Sequence, residues 1–432
     1  MSWTFPSQNN QSGNRNQNQN GTWNLKNQGG RGGGNWEFGT QNQGQNFGGI
    51  QNQGSIFSGG GGNMNQGQNF DNTSFGNNNT GRKNNFIQKQ FKYHPHNLNP
   101  ERLHELKGPT DTITDIVWFK QFVGCSSWDK CVYVWQIDVS ANKFRSRPVY
   151  KDTLRSPLLS CFLMNGMIFT GDFTGNLDVI NIQKKAKQNF GKHMENPKTK
   201  GSAITSIKQV NQNTVLTSSL NCRCKYWDLR NKKAVMVVNC PERVFCADVH
   251  QNMVAVACGW AKQHLLIYDS RKPNNPMKSI PLLKRPNVTE ALDHPGRNIT
   301  ICPDYVAVGS VGGRLSIVGM TGKVETFQSK VCCEGKPLNV KPFRFPVNGL
   351  CVNNKNGYTG VVDASGHYQI FDFSQKKRAM FNKKRISCSL TKCKFDDSGN
   401  IFAFGVSYDF SRGQSSEMYN NKTHQRILLK KV

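Results

Sequence analysis

Valine, alanine and cysteine are missing from the first 116 residues of this 432-residue chain; the first of the three to appear is Val117. In their place, Asn, Gln and Gly fill 52 of the first 85 positions. A stretch so poor in aliphatic side chains cannot bury enough apolar surface to offset the entropy of ordering it. Residues 1–85 are therefore expected to be a disordered, Gly/Asn/Gln-rich tail. Acidic residues are scarce as well: 27 Asp and Glu stand against 56 Lys and Arg, for a formal charge of +29. No run approaches the roughly 20 apolar residues of a membrane-spanning helix, so no membrane insertion is expected. The opening MSWTFPSQNNQSGN lacks the basic start and apolar run of a secretory signal.

The tail holds Arg15, Lys26, Arg31, Arg82 and Lys83 against Glu37 and Asp71, a net +3, so +26 belongs to the remainder. An excess of that size implies acidic partners, either nucleic acid or acidic peptide segments. From about residue 108 the chain turns rich in Val, Ile, Phe and Cys, and is long enough for a substantial core. Its 14 cysteines fall mostly inside apolar runs, as at Cys125, Cys161, Cys246, Cys351 and Cys393. That placement suits buried, reduced thiols of a cytosolic or nuclear protein. Cys222-Arg-Cys224 and Cys332-Cys333 lack a second pair at zinc spacing, so no metal and no cofactor is expected. Catalytic signatures are missing too. There is no GxxxxGK[ST] loop and no GxSxG elbow. His94-Pro95-His96 has no evident third ligand, and Asp129, Asp172, Asp228 and Asp363 sit at turn-like places where Asp caps backbone. The chain reads as a binding platform and not as an enzyme.

What the tail does contain is well-spaced aromatics. Three are followed directly by glycine, in Phe38-Gly39, Phe47-Gly48 and Phe75-Gly76. Each Phe is an isolated sticker on a hydrated spacer, and several weak stickers on one chain give avidity. The pattern resembles the FG repeats of nucleoporins, which bind transport receptors and one another.

Beyond Gly108 a unit recurs: a short apolar strand and a turn, a second strand ending in small residues, and a third ending in an aromatic or aliphatic residue. Corresponding ends fall at Trp135, Ile180, Trp227, Tyr268, Val318 and Phe371, spaced 41 to 53 residues apart. A period of about 40–45 residues with a Trp-Asp-like end marks the WD40 blade. Only Trp227-Asp228 is a strict example. Seven units fit residues 108–432. One blade cannot bury both of its faces, whereas blades packed radially bury each other's. The fold class expected is all-β: a seven-bladed WD40 β-propeller over 108–432, after a linker at 86–107 that also supplies a closing strand.

Three strings carry a more specific resemblance: PERVFCADV at 241–249, SVGGRLSI at 310–317, and NIFAF at 400–404 followed by SYDFSRG at 407–413. They resemble the Rae/Gle type of mRNA-export propeller that docks at nuclear pores, over roughly residues 105–432. The Bub type of mitotic-checkpoint propeller shares the plan and a string like SVGGRL; it gives the alternative of a kinetochore scaffold. The export resemblance implies a nuclear-pore scaffold in the nucleus and at the nuclear envelope, also found in the cytoplasm. Its partner would be an FG nucleoporin with an acidic Gle-binding segment, and mRNA or single-stranded RNA an added one. The partner-binding residues it implies are Arg285, Phe327, Phe371, Asp372, Lys376 and Lys377. Phe373 stands where that family usually has a basic residue. Charge points to the same region: Lys376-Lys377-Arg378 and Lys383-Lys384-Arg385 read as one basic loop between blades six and seven, with Lys284-Arg285 in the preceding one. A Phe-Gly tail is a departure from the family.

Overall fold

The computed structural model describes residues 103–140, 143–194, 201–259, 264–282, 295–319, 324–328, 333–334, 343–374, 377–382, 385–411 and 425–432. The tail, its Phe-Gly pairs and His94-Pro95-His96 lie outside the described residues. Among the described residues all regular structure is β, and it forms seven four-stranded antiparallel sheets plus one two-stranded ribbon, Cys333–Glu334 with Phe343–Arg344. The seven-bladed all-β propeller is thereby borne out.

In each blade the first strand is innermost. These first strands are Ile113–Phe119, Leu158–Met164, Ile204–Asn211, Val244–His250, Gly296–Ile301, Val347–Val352 and Leu390–Phe395. Each neighbours the next, and the last neighbours the first, so the ring closes. The seventh sheet takes its outer strand from the other end of the chain: His104–Lys107 pairs with Arg426–Lys431, setting Leu106 opposite Ile427. Seven apolar clusters hold the ring, one at each boundary between blades. Leu106, Ile427 and Leu429 of blade seven, for example, share a cluster with Ile113, Ile116 and Trp118 of blade one. Cys351 and Val362 of blade six share one with Phe402 and Phe404 of blade seven. Neither face of a blade is stable in water alone; stacking removes both.

The repeat positions read from the sequence fall in one register. Trp135, Ile180, Trp227, Tyr268, Val318 and Phe371 pair with Val123, Ile168, Val215, Val254, Val306 and Thr359. The seventh unit showed no such end because Lys430 holds the place, opposite Phe402. Its ammonium lies 5.4 Å from the centre of the Tyr368 ring.

Blade three alone has a strict Trp-Asp end, and it also has the polar set that goes with it. Trp227 Nε1 donates to Thr217 Oγ1 at 2.7 Å, and the same hydroxyl meets His193 Nε2 at 2.7 Å. Gly191 makes room: a Cβ there, at φ +154°, would come within 2.4 Å of the Trp227 ring. The positions matching Thr217 in five other blades are Cys125, Val256, Val308, Val361 and Phe404, all buried. Those blades exchange the hydrogen-bonded centre for plain apolar packing, which is why their sequences look degenerate.

Twelve of the described cysteines are free thiols, and 11 of those are buried. The turn aspartates cap backbone: Asp129 accepts from the Cys131 and Thr110 amides, Asp172 from Asn176, and Asp363 from Ser365 and His367.

Two outcomes follow for blade three. Replacing Thr217 with Val leaves Trp227 and His193 short of a partner and should cost about 1–3 kcal/mol in denaturant unfolding. Burial holds the His193 imidazole down to about 3, with Lys225 adding repulsion. Unfolded, that ring takes up a proton near 6.5; native, it refuses one until about 3. The stability it contributes is thus complete above about pH 6.5 and declines as pH falls toward 3. Between pH 7 and pH 5 the wild type should lose about 2 kcal/mol more than His193→Gln, measured by urea unfolding at both pH values.

Candidate functional site

Antiparallel order gives the ring two distinct faces. One face carries the crossings between blades and the turns from second to third strands; the other carries the turns within the first and last strand pairs. Contacts between neighbours keep like ends together. Thr112, entering blade one, donates its hydroxyl to the Tyr408 carbonyl of blade seven, while at the far end the Lys120 amide donates to Asp397 Oδ2.

The implied partner-binding residues distribute over this frame as follows. Phe371 and Asp372 end the third strand of blade six, Tyr368–Asp372, on the far face. The outer strand Lys377–Phe381 begins there, so that by backbone register Phe371 faces Arg378 and Asp372 faces Lys377. Phe327 lies on blade five's outer strand Val324–Gln328, opposite Leu315 and one residue from the end that leads to the crossover face. Lys284, Arg285 and Lys376 lie outside the described residues. The structure therefore brings Phe371, Asp372, Lys377 and Arg378 together and sets Phe327 toward the other end of the neighbouring sheet. It also divides what the sequence suggested was one basic loop. Lys377 and Arg378 open a strand, and Arg385 follows that strand at its opposite end.

Aromatic packing explains Phe373. It is buried, stacks on Phe371 at 5.3 Å with planes 9° apart, and meets Tyr305 of blade five edge-on at 5.4 Å. The Tyr305 hydroxyl hydrogen-bonds Thr359 Oγ1 at 2.8 Å, and burial pushes its pKa well above the phenol range. A basic side chain at 373 would have to enter this wall between blades five and six. Phe371 caps the stack and is half-buried, while Asp372 is buried and accepts the Ser374 hydroxyl at 2.6 Å. The arrangement offers a partly exposed aromatic beside a strand that starts Lys-Arg.

Sequence reasoning missed a second patch, on the crossover face. Trp128, Phe173 and Phe410 are 39%, 52% and 40% exposed and belong to the consecutive blades one, two and seven. Trp128 and Phe173 lie 6.0 Å apart. The signal that could have found them is their place beside the turn aspartates Asp129, Asp172 and Asp409, where an apolar residue has no packing duty. Among the described residues, no group of three His, Cys, Asp or Glu side chains could hold a metal ion. No helix there is long and apolar enough to cross a membrane.

The aromatic wall predicts a ranking. Phe373→Ala should lower unfolding free energy by about 3 kcal/mol, and Phe371→Ala by less than half of that, since Phe371 already meets water. Equal losses in a guanidinium titration would contradict this reading.

No protein-family model matches the chain. It is 26% identical over 321 residues to Protein Rae1 of Drosophila melanogaster, covering 72% of this chain and 87% of that one. It is 25% identical to mRNA export factor GLE2 of Chaetomium thermophilum, covering 73% and 86%. Against the Poly(A)+ RNA export protein of Schizosaccharomyces pombe it is 23% identical, covering 72% and 85%. Among solved structures, that of U3-55K superposes with a TM-score of 0.62 at 12% identity, covering 77% of this chain and all of that one. The WD40 repeats of RRP9 superpose with a TM-score of 0.60, also at 12% identity, over 76% of this chain and 97% of theirs. The solved structures speak to the fold alone. The curated relatives bear out the resemblance read from the three sequence strings: this chain is a distant relative of the Rae/Gle-type mRNA-export propellers.

Proposed function

We propose that this chain is a non-enzymatic adaptor for mRNA export that resides at the nuclear pore and binds an acidic Gle-binding-type segment of an FG nucleoporin. The observation that carries the reading is similarity to three proteins named for this process or family, each matched over at least 85% of its length. Charge supports an acidic partner, since +26 of the +29 lies outside residues 1–85. In the proposed complex Phe371 is the apolar anchor, and Lys376, Lys377 and Arg378 pair with the partner's carboxylates. Lys284, Arg285 and Phe327 extend the contact over blade five. Residues 1–85 act as stickers for transport receptors or other FG segments through Phe38-Gly39, Phe47-Gly48 and Phe75-Gly76, joined to the ring by residues 86–107.

Two measurements test this reading. A tagged copy should give a nuclear rim, and changing Lys376, Lys377 and Arg378 to Glu should reduce nucleoporin recovery at least roughly tenfold, because like charges then face each other. Undiminished recovery removes the basic strand from the site; a diffuse signal without a rim removes the pore assignment.

Single-stranded RNA is the second partner the charge favours. If lysines and arginines bind its phosphates, log K should fall linearly with log salt, by about 0.7 per phosphate neutralised. Titration of a fluorescent oligonucleotide at several salt concentrations reads this slope. A flat response would contradict phosphate binding.

A further inference from the structure

The axial channel holds a charge arrangement that the partner reading does not use. Register relative to the second strands defines two tiers on the inner strands. One tier consists of Asp115, Ser160, Ser206, Cys246, Asn298 and Gly349 in blades one to six, aligned by their pairing with the second strands, and of Lys392 in blade seven, next to the Cys393–Phe404 pair. In the next tier, two residues on, the charged members are Lys208, Asp248 and Lys394. All five charged groups, Asp115, Lys208, Asp248, Lys392 and Lys394, lie on the innermost strands and are half-buried.

Their partners are unequal. Lys208 Nζ pairs with Asp248 Oδ1 at 3.1 Å, and the other oxygen of Asp248 accepts the Ile301 amide. The Asp115 carboxylate accepts two amides, those of Ile116 and Cys161. Arg297, one residue before the first tier in blade five, feels Asp409 as its counter-charge. Lys392 reaches from blade seven past Gly349 of blade six to donate to Asn298 Oδ1 of blade five at 2.7 Å, a neutral acceptor. A Cβ at Gly349 would lie 3.0 Å from Lys392 Cα, so the small residue keeps this side open. Lys394, on the same side of the same strand, makes no hydrogen bond or ion pair among the described residues. Two ammonium groups two residues apart on this inner strand thus have no ion-pair contact with a carboxylate, although Asp248 feels the charge of Lys394 and Asp115 that of Lys392.

Electrostatics agrees with this geometry. Burial lowers the pKa of Lys392, and Arg297 and Lys208 repel it further, against the pull of Asp115. Burial also opposes the charge of Lys208, but Asp248 and Asp115 outweigh it and raise its pKa. A partly desolvated ammonium without a carboxylate beside it is costly, and an anion in the channel would lower that cost.

We infer that the axial channel is a binding site for a small phosphate-class oxyanion, held by Lys392 and Lys394 of blade seven with Lys208 of blade three. The ligand sits inside the ring, so the site is independent of any protein or RNA bound outside. Two or three ammonium groups give the charge that a multivalent oxyanion needs. Asn298, whose Nδ2 donates to the Val347 carbonyl, keeps its Oδ1 toward Lys392 and holds that ammonium in place.

Calorimetric titration of the full chain with sodium pyrophosphate, and separately with orthophosphate, in chloride buffer of matched ionic strength tests the site. The expected result is saturable binding of one ion per chain. Lys392→Met with Lys394→Met should weaken it at least tenfold, while Lys184→Ala with Lys185→Ala, on an outer turn of blade two, should leave it unchanged. Asp115→Asn removes a negative charge from the channel and should tighten binding severalfold. Absence of saturable binding, or equal affinity in the methionine variant, overturns the inference. Should the methionine variant fail to fold, Asp115→Asn decides: unchanged or weaker affinity there also overturns it.

Discussion

Each blade of this propeller depends on its neighbours for the burial of both its apolar faces, so the ring stands or falls on being closed. Seven core clusters occupy the seven boundaries, and none is confined to a single blade. The closing boundary is special because it joins distant parts of the chain. Leu106 enters the seventh sheet beside Ile427 and packs in the cluster that contains Ile113 and Trp118 of blade one. Four residues, His104–Lys107, thereby secure an edge that would otherwise be open to water or to another strand.

Closure also fixes what the ring can present. The faces are made of turns, which are free to vary once the sheets are set. On the far face the half-buried Phe371 is backed by the stack with Phe373 and Tyr305 and flanked by the start of the Lys377–Phe381 strand. On the crossover face Trp128, Phe173 and Phe410 stand on three consecutive blades. Inside, Lys392 and Lys394 share the channel with the Lys208–Asp248 pair. The three regions differ in kind: an aromatic with basic neighbours, an apolar patch, and a confined cation cluster.

The fold was legible in the sequence because the third-strand ends have a packing duty in every blade. Trp135, Tyr268 and Val318 differ in chemistry, yet all occupy one register, and a period survives such exchanges. The seventh unit showed no such end because Lys430 holds that position, and its outer strand, His104–Lys107, lies some 300 residues from its sheet partners. The candidate site was less legible. Sequence adjacency joined Lys376–Arg378 to Lys383–Arg385, whereas the strand Lys377–Phe381 stands between the described residues Arg378 and Arg385. Phe373 looked like a lost basic contact but is a core aromatic. The channel cluster left no signal along the chain, since Lys208, Asn298 and Lys392 meet only when blades three, five and seven converge on one axis.

The dependence on closure has a direct test in two truncations, one starting at residue 100 and one at residue 108, compared by calorimetric melting with the full chain. The account predicts that the chain from 100 keeps a single cooperative transition close to that of the full chain. Removing His104–Lys107 should lower the melting temperature by at least roughly 5 °C, from the loss of Leu106 and its ladder. Equal melting of the two truncations would contradict a ring secured by that strand.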